Sequence, residues 1–99
     1  MHTAPLADNS FMQQSQHIEQ ALDSVVDHGN DDELFIASYL QGHFAVISKP
    51  LEMDEQASLA KLNDAVTASL ADAFANNELE ADDQQKVYAL WQRLIEQAA

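Results

Sequence analysis

The chain has no cysteine, only two glycines and two prolines, and four Lys plus Arg against 17 Asp plus Glu in 99 residues. Without cysteine there is no disulfide framework, thiolate nucleophile, iron–sulfur cluster or Cys-type zinc site. With so few cations the formal net charge is -13, so a nucleic-acid backbone or an anionic membrane surface is repelled; neither is expected as a partner. Long hydrophobic runs are missing too. The longest stretch free of charged residues, Leu34 to Ser48, is 15 residues, shorter than the ~20 apolar residues of a spanning helix, and reads as a buried core helix. Met1 to Ser10 has neither the cationic start nor the apolar run of a secretory signal, which sets the expected compartment as the cytoplasm. Nowhere does a period-two run bounded by turn residues suggest a strand.

What is present is helical periodicity in a chain long enough for one core. Met1 to Asn9 is polar, holds Pro5 and lacks periodicity, so residues 1–9 are expected to form a loose arm and residues 10–99 the domain. Phe11, Ile18, Leu22 and Val25 recur at helical spacing up to His28-Gly29, where the glycine is able to take a left-handed cap. Asn30 followed three residues later by Glu33 resembles a capping box, with Asp31 and Asp32 at the positive end of the dipole. This second helix is expected to stop near Ser48, ahead of Pro50. Two further amphipathic segments follow, at about residues 54–76 and 81–97, carrying Leu59, Leu62, Val66, Leu70 and Phe74, then Val87, Leu90, Trp91 and Leu94. Four helices joined by short loops predict an all-α fold, a single-domain antiparallel four-helix bundle. The uncharged second helix is expected to be its most enclosed member. Ser38, Gly42 and Ala45 form a small-residue strip on the other side of the helix from its apolar arc, expected to face a neighbouring backbone.

The run Asp27-His28-Gly29-Asn30-Asp31-Asp32-Glu33-Leu34-Phe35, with the later Tyr39-Leu40-Gln41-Gly42-His43, resembles the YfcL family of small bacterial proteins. The resemblance extends more weakly through Asn77-Glu78-Leu79 and Trp91, and so over residues 10–97. Gln41 stands where the family often has Arg, and Glu80 where a Ser cap is common. The resemblance implies an all-helical bacterial cytosolic protein and assigns no catalytic residue.

The residues themselves offer little chemistry. His28, Asp31, Asp32 and Glu33 are metal-ligand types within six residues, but their spacing is not that of an EF-hand loop, and helix stop and start signals already account for each. His43 and Tyr39 fall within the second helix's apolar arc and are expected to be buried polar groups, the imidazole satisfied by a hydroxyl, carbonyl or water. His17 lies as far before the turn as His43 lies beyond it, which leaves a metal site shared by His17 and His43 as an alternative. Ser24, in Leu22-Asp23-Ser24-Val25, offers a second alternative, a prosthetic-group carrier. There is no Gly-x-Ser-x-Gly elbow, phosphate loop or His-Glu-x-x-His, so the reading is non-enzymatic and calls for no cofactor.

Charge patterning is the strongest functional signal. Residues 1–48 hold seven acids and no Lys or Arg, while all four cations lie in residues 49–99. Glu19, Asp23 and Asp27 are spaced i, i+4, i+8, one acidic row leading to Asp31 and Asp32. Like charges at that spacing repel by a few tenths of a kcal/mol per pair. The plain reading of the row is a solvated solubilising face; the functional reading is an interaction surface for a basic region of another protein.

Overall fold

Three of the four helices begin where a side chain accepts a free N–H of the first turn. The computed structural model describes residues 7–99, with four helices: α1 (Asn9–His28), α2 (Asp31–Glu52), α3 (Leu59–Ala75) and α4 (Ala81–Ala98). Asp8 caps α1 by accepting from the Phe11 N–H at 2.8 Å. Asn30 and Glu33 form the complete capping box of α2, each accepting the other's backbone N–H at 2.9 Å. Ser58 caps α3 through the Lys61 N–H at 3.1 Å. Helix α4 is the exception: the Glu80 side chain makes no cap bond, and Asp82 and Asp83 in the first turn supply charge of the favourable sign. All pairs of helices are in contact, and α1 with α2 is the most extensive pair. They form an antiparallel four-helix bundle, and among the described residues there is no strand.

The core is one continuous cluster. Phe11, Ile18 and Leu22 of α1 meet Ile36, Leu40 and Phe44 of α2, Leu62, Val66 and Leu70 of α3, and Val87, Trp91 and Leu94 of α4. A ring ladder crosses three helices. Tyr39 stacks on Phe74 with centroids 6.2 Å apart, and Phe74 meets the edge of Tyr88 at 5.1 Å. Trp91, 1% exposed, donates its indole N–H to Asn63 Oδ1 at 2.8 Å, so the bulkiest core side chain has its polar atom satisfied.

Several expectations are corrected. Helix α2 does not stop at Ser48; it runs through Pro50 to Glu52. The lost Pro50 N–H leaves the Val46 carbonyl without its helical donor, but Val46 and Pro50 both lie on the exposed side of the helix, where the loss costs less than it would in the core. Beyond the proline, Leu51 packs on the core and Glu52 accepts from α1, which holds the last turn in place. Helix α3 starts at Leu59, not near residue 54, because Asp54 takes the Gln56 N–H in a local turn and leaves capping to Ser58. Gly29 is not left-handed: its φ of -78° is ordinary. The glycine is needed for closeness, since an added Cβ would lie 2.6 Å from the Val25 carbonyl oxygen.

The second helix is not the most enclosed. Phe35 is 48% and Val46 74% exposed, so its apolar arc is wider than the bundle covers. The strip of Ser38, Gly42 and Ala45 faces outward, and a Cβ on Gly42 would meet nothing within 4 Å. The expected arm over residues 1–9 lies, for residues 1–6, outside the described residues. Of the rest, Ala7 is buried and donates its N–H to the Glu52 carbonyl at 3.0 Å, Asp8 caps α1, and Asn9 is helical.

Candidate functional site

The acidic row is built by α1 and edged by α2. Four-residue spacing brings Glu19, Asp23 and Asp27 onto one side of α1, and all three are exposed. Antiparallel packing then supplies neighbours that the first half of the sequence does not reveal. Gln41 Nε2 donates to Asp23 Oδ1 at 2.7 Å, and Lys49 Nζ lies 3.8 Å from both Glu19 and Glu52. The row therefore follows the seam between α1 and α2. At the turn, Asp31 is exposed and Asp32 pairs with Lys86 Nζ of α4 at 2.8 Å. That contact holds the Lys86 pKa above its ordinary value, through the hydrogen bond first and the Asp32 charge second, with Asp83 and Asp82 adding to it. Such exposed pairs contribute little to stability. Their effect here is to commit Asp32 to a partner, whereas Asp27 and Asp31 make no side-chain hydrogen bond or ion pair among the described residues.

Beside the Asp32–Lys86 pair a groove of about 230 Å³ opens between α2 and α4. Its floor is Val25, Ile36 and Leu90, and its rim carries Asp32 and Glu33 on one side and Lys86 and Arg93 on the other. Balanced rim charges give the groove no preference for one sign of ligand.

Tyr39 and His43 are half-buried rather than buried. His43 Nδ1 lies 2.8 Å from Ser69 Oγ, and its ring packs on Tyr39 with centroids 4.9 Å apart, which makes it a satisfied histidine of the α2/α3 seam. Tyr39 donates its hydroxyl hydrogen to Glu78 Oε1 at 2.8 Å. Glu78 reaches it because α3 ends in a left-handed Asn77 (φ 60°), with Glu78 N–H bonded back to the Ala73 carbonyl and Asn77 N–H to that of Phe74. Burial, then the hydrogen bond to Glu78 and its charge, push the Tyr39 pKa up to about 12.

His17 and His43 do not come together. His17 is exposed against the end of α4, beside Gln97 and Ala98, whereas His43 faces α3. Among the described residues no three His, Asp or Glu side chains form a group able to hold a metal. Ser24 lies exposed in the interior of α1 and not at a helix start. Among the described residues no helix is long and apolar enough to cross a membrane.

Sequence reasoning missed the outer face of α2, where Leu34, Phe35 and Val46, with Met53 at the C-cap, are the large exposed hydrophobic residues. The signal was available. A helix bearing a broad apolar arc and an uncharged strip opposite either sits wholly inside a protein or leaves a face uncovered, and a four-helix bundle has no wholly internal member.

The model of the YfcL protein family matches residues 12–96. The Escherichia coli (strain K12) protein titled "Uncharacterized protein YfcL" is 37% identical over 78 residues, covering 79% of this chain and 85% of its own length. No solved structure matches the chain.

Proposed function

The chain belongs to the YfcL family, and from that premise we propose that it is a non-enzymatic interaction module of the cytosol that docks a basic surface of another protein through Glu19, Asp23, Asp27, Asp31 and Asp32. The observation that carries this reading is the position of the row: three exposed acids along the α1/α2 seam, in a chain of net charge -13, that continue to the turn. Asp27 and Asp31 make no side-chain hydrogen bond or ion pair among the described residues, so their charge stays available to a cationic partner beside the Asp32–Lys86 pair. A field of one sign over such a length raises the encounter rate with a cationic partner more than it deepens the bound state.

The test pairs stability with capture. Glu19→Gln, Asp23→Asn and Asp27→Asn together remove like-charge repulsion and bury nothing, so thermal unfolding stays equal or moves slightly upward. The same variant loses capture of basic proteins from a bacterial lysate, most clearly at low salt, where attraction survives over a Debye length of ~10 Å at 0.1 M. Equal capture by wild type and a normally folded variant rejects the reading.

A further inference from the structure

We propose that the outer face of α2 seats the apolar side of a cationic amphipathic helix from another protein, whose flanking Lys or Arg residues reach the acids on either edge. This rests on the docking reading above and adds where the apolar contact lies and what shape the partner has. Among the described residues the large exposed hydrophobics are Leu34, Phe35, Val46 and Met53, at 38%, 48%, 74% and 59% exposure, and all belong to α2 or its C-cap. Phe35, Tyr39, Gly42 and Val46 follow at i, i+4, i+7 and i+11, one side of the helix. At 1.5 Å per residue the lane from Phe35 to Val46 is about 16 Å long, three turns of a partner helix. Between its two apolar ends lies Gly42, with open space where a Cβ would be. Ser38 and Ala45 keep the neighbouring height low, so a side chain from outside can enter the recess as a knob enters a hole.

Charge decides what occupies the lane. No residue from Leu34 to Ser48 is charged, yet acids flank the lane on both edges, with Lys49 at the C-terminal end of the α1 edge. On the α1 side Asp23 is tied to Gln41, and Glu19 lies near Lys49, whose charge is already shared with Glu52. On the α3 side Glu78 is tied to Tyr39, and exposed Asp72 stands one turn beyond Ser69, the partner of His43. An apolar lane between acidic edges matches a helix with one apolar stripe and cations on both flanks. A second copy would bring net charge -13 against -13 and set acids against acids, and an anionic lipid surface is repelled in the same way.

The test uses the full chain and two synthetic helical peptides of about eighteen residues and equal positive charge, long enough to span the lane. In one, Leu forms the stripe between Lys flanks; in the other, Gln replaces each Leu and keeps helix propensity. Binding is monitored by peptide fluorescence anisotropy and by the backbone amide resonances of Phe35, Gly42 and Val46. The Leu/Lys peptide is expected to bind saturably and shift those resonances. Phe35→Ser with Val46→Ser should weaken it about tenfold or more, at low and high salt alike, because apolar burial is lost. Val46→Asp alone, at a 74% exposed position, serves if the double variant unfolds. The Glu19, Asp23 and Asp27 amide variant should weaken both peptides mainly at low salt. Equal affinity for the Gln/Lys peptide, lost in the amide variant, overturns the lane while sparing the acidic row. Failure of the Leu/Lys peptide to bind also overturns the lane. So does sedimentation showing a wild-type dimer that Phe35→Ser with Val46→Ser dissolves, since the occupant would then be a second copy.

Discussion

The hydroxyl of Tyr39 donates to Glu78 Oε1 across 2.8 Å, joining the middle of α2 to the turn between α3 and α4. Burial first, then this hydrogen bond, which only the protonated phenol donates, and the charge of the neighbouring carboxylate push the folded-state pKa up to about 12 against 10.0 for a free tyrosine. Stability from this source is complete below pH 10 and is lost as pH rises from 10 toward 12, where the unfolded phenol ionises before the folded one. In a Tyr88→Phe background, which leaves Tyr39 as the sole tyrosine, tyrosinate absorbance should therefore emerge near pH 12. Glu78→Gln should lower that midpoint and leave part of the shift, because burial is its largest cause.

Gly42→Ala should stabilise the protein. A new Cβ meets nothing within 4 Å, and a glycine inside a helix costs up to about 1 kcal/mol relative to alanine. The midpoint of denaturant unfolding should rise with an unchanged slope; a fall would show that the recess is filled.

Gly29→Ala should do the opposite, for a reason unconnected with backbone freedom. The methyl group would stand 2.6 Å from the Val25 carbonyl oxygen and 2.9 Å from Glu33 Cβ, so the turn must open and strain the capping box. Overpacking of this kind costs about 1 to 3 kcal/mol, readable as an earlier unfolding midpoint.

Asn63→Ala should leave the Trp91 indole N–H without an acceptor in a side chain only 1% exposed. A buried donor stripped of its partner costs about 1 to 3 kcal/mol. Trp91 is the sole tryptophan, so its emission reports both the unfolding midpoint and any water admitted beside the ring in the folded state.

Local signals were legible in the sequence where a single side chain sets the structure. The Asn30/Glu33 box reads directly from spacing, and so does the placement of Leu62, Val66, Leu70 and Phe74 on one stripe of α3. Pro50 misled because its effect depends on the residues C-terminal to it: Leu51 and Glu52 have tertiary partners that outweigh one lost hydrogen bond on the wet side. The acids of α1 were visible as a row, but Gln41 and Lys49 beside them were not, because antiparallel pairing sets those neighbours and local sequence does not. For α2 the error lay in equating absence of charge with burial. Three companion helices cover only about half of a helix's circumference, so Val46 and Phe35 had no core left to enter.

The bond from Ala7 N–H to the Glu52 carbonyl has a consequence for how the molecule opens. The α1–α2 hairpin is clasped at both ends, by the Asn30/Glu33 box at its turn and by Ala7, with Ser15 Oγ on Glu52 Oε2 at 3.2 Å, at its mouth. A helix ending just past a proline would ordinarily fray one residue at a time. Here the last turn of α2 is tied to the start of α1, so the amides at the mouth of the hairpin are expected to exchange together and not in sequence from the helix end.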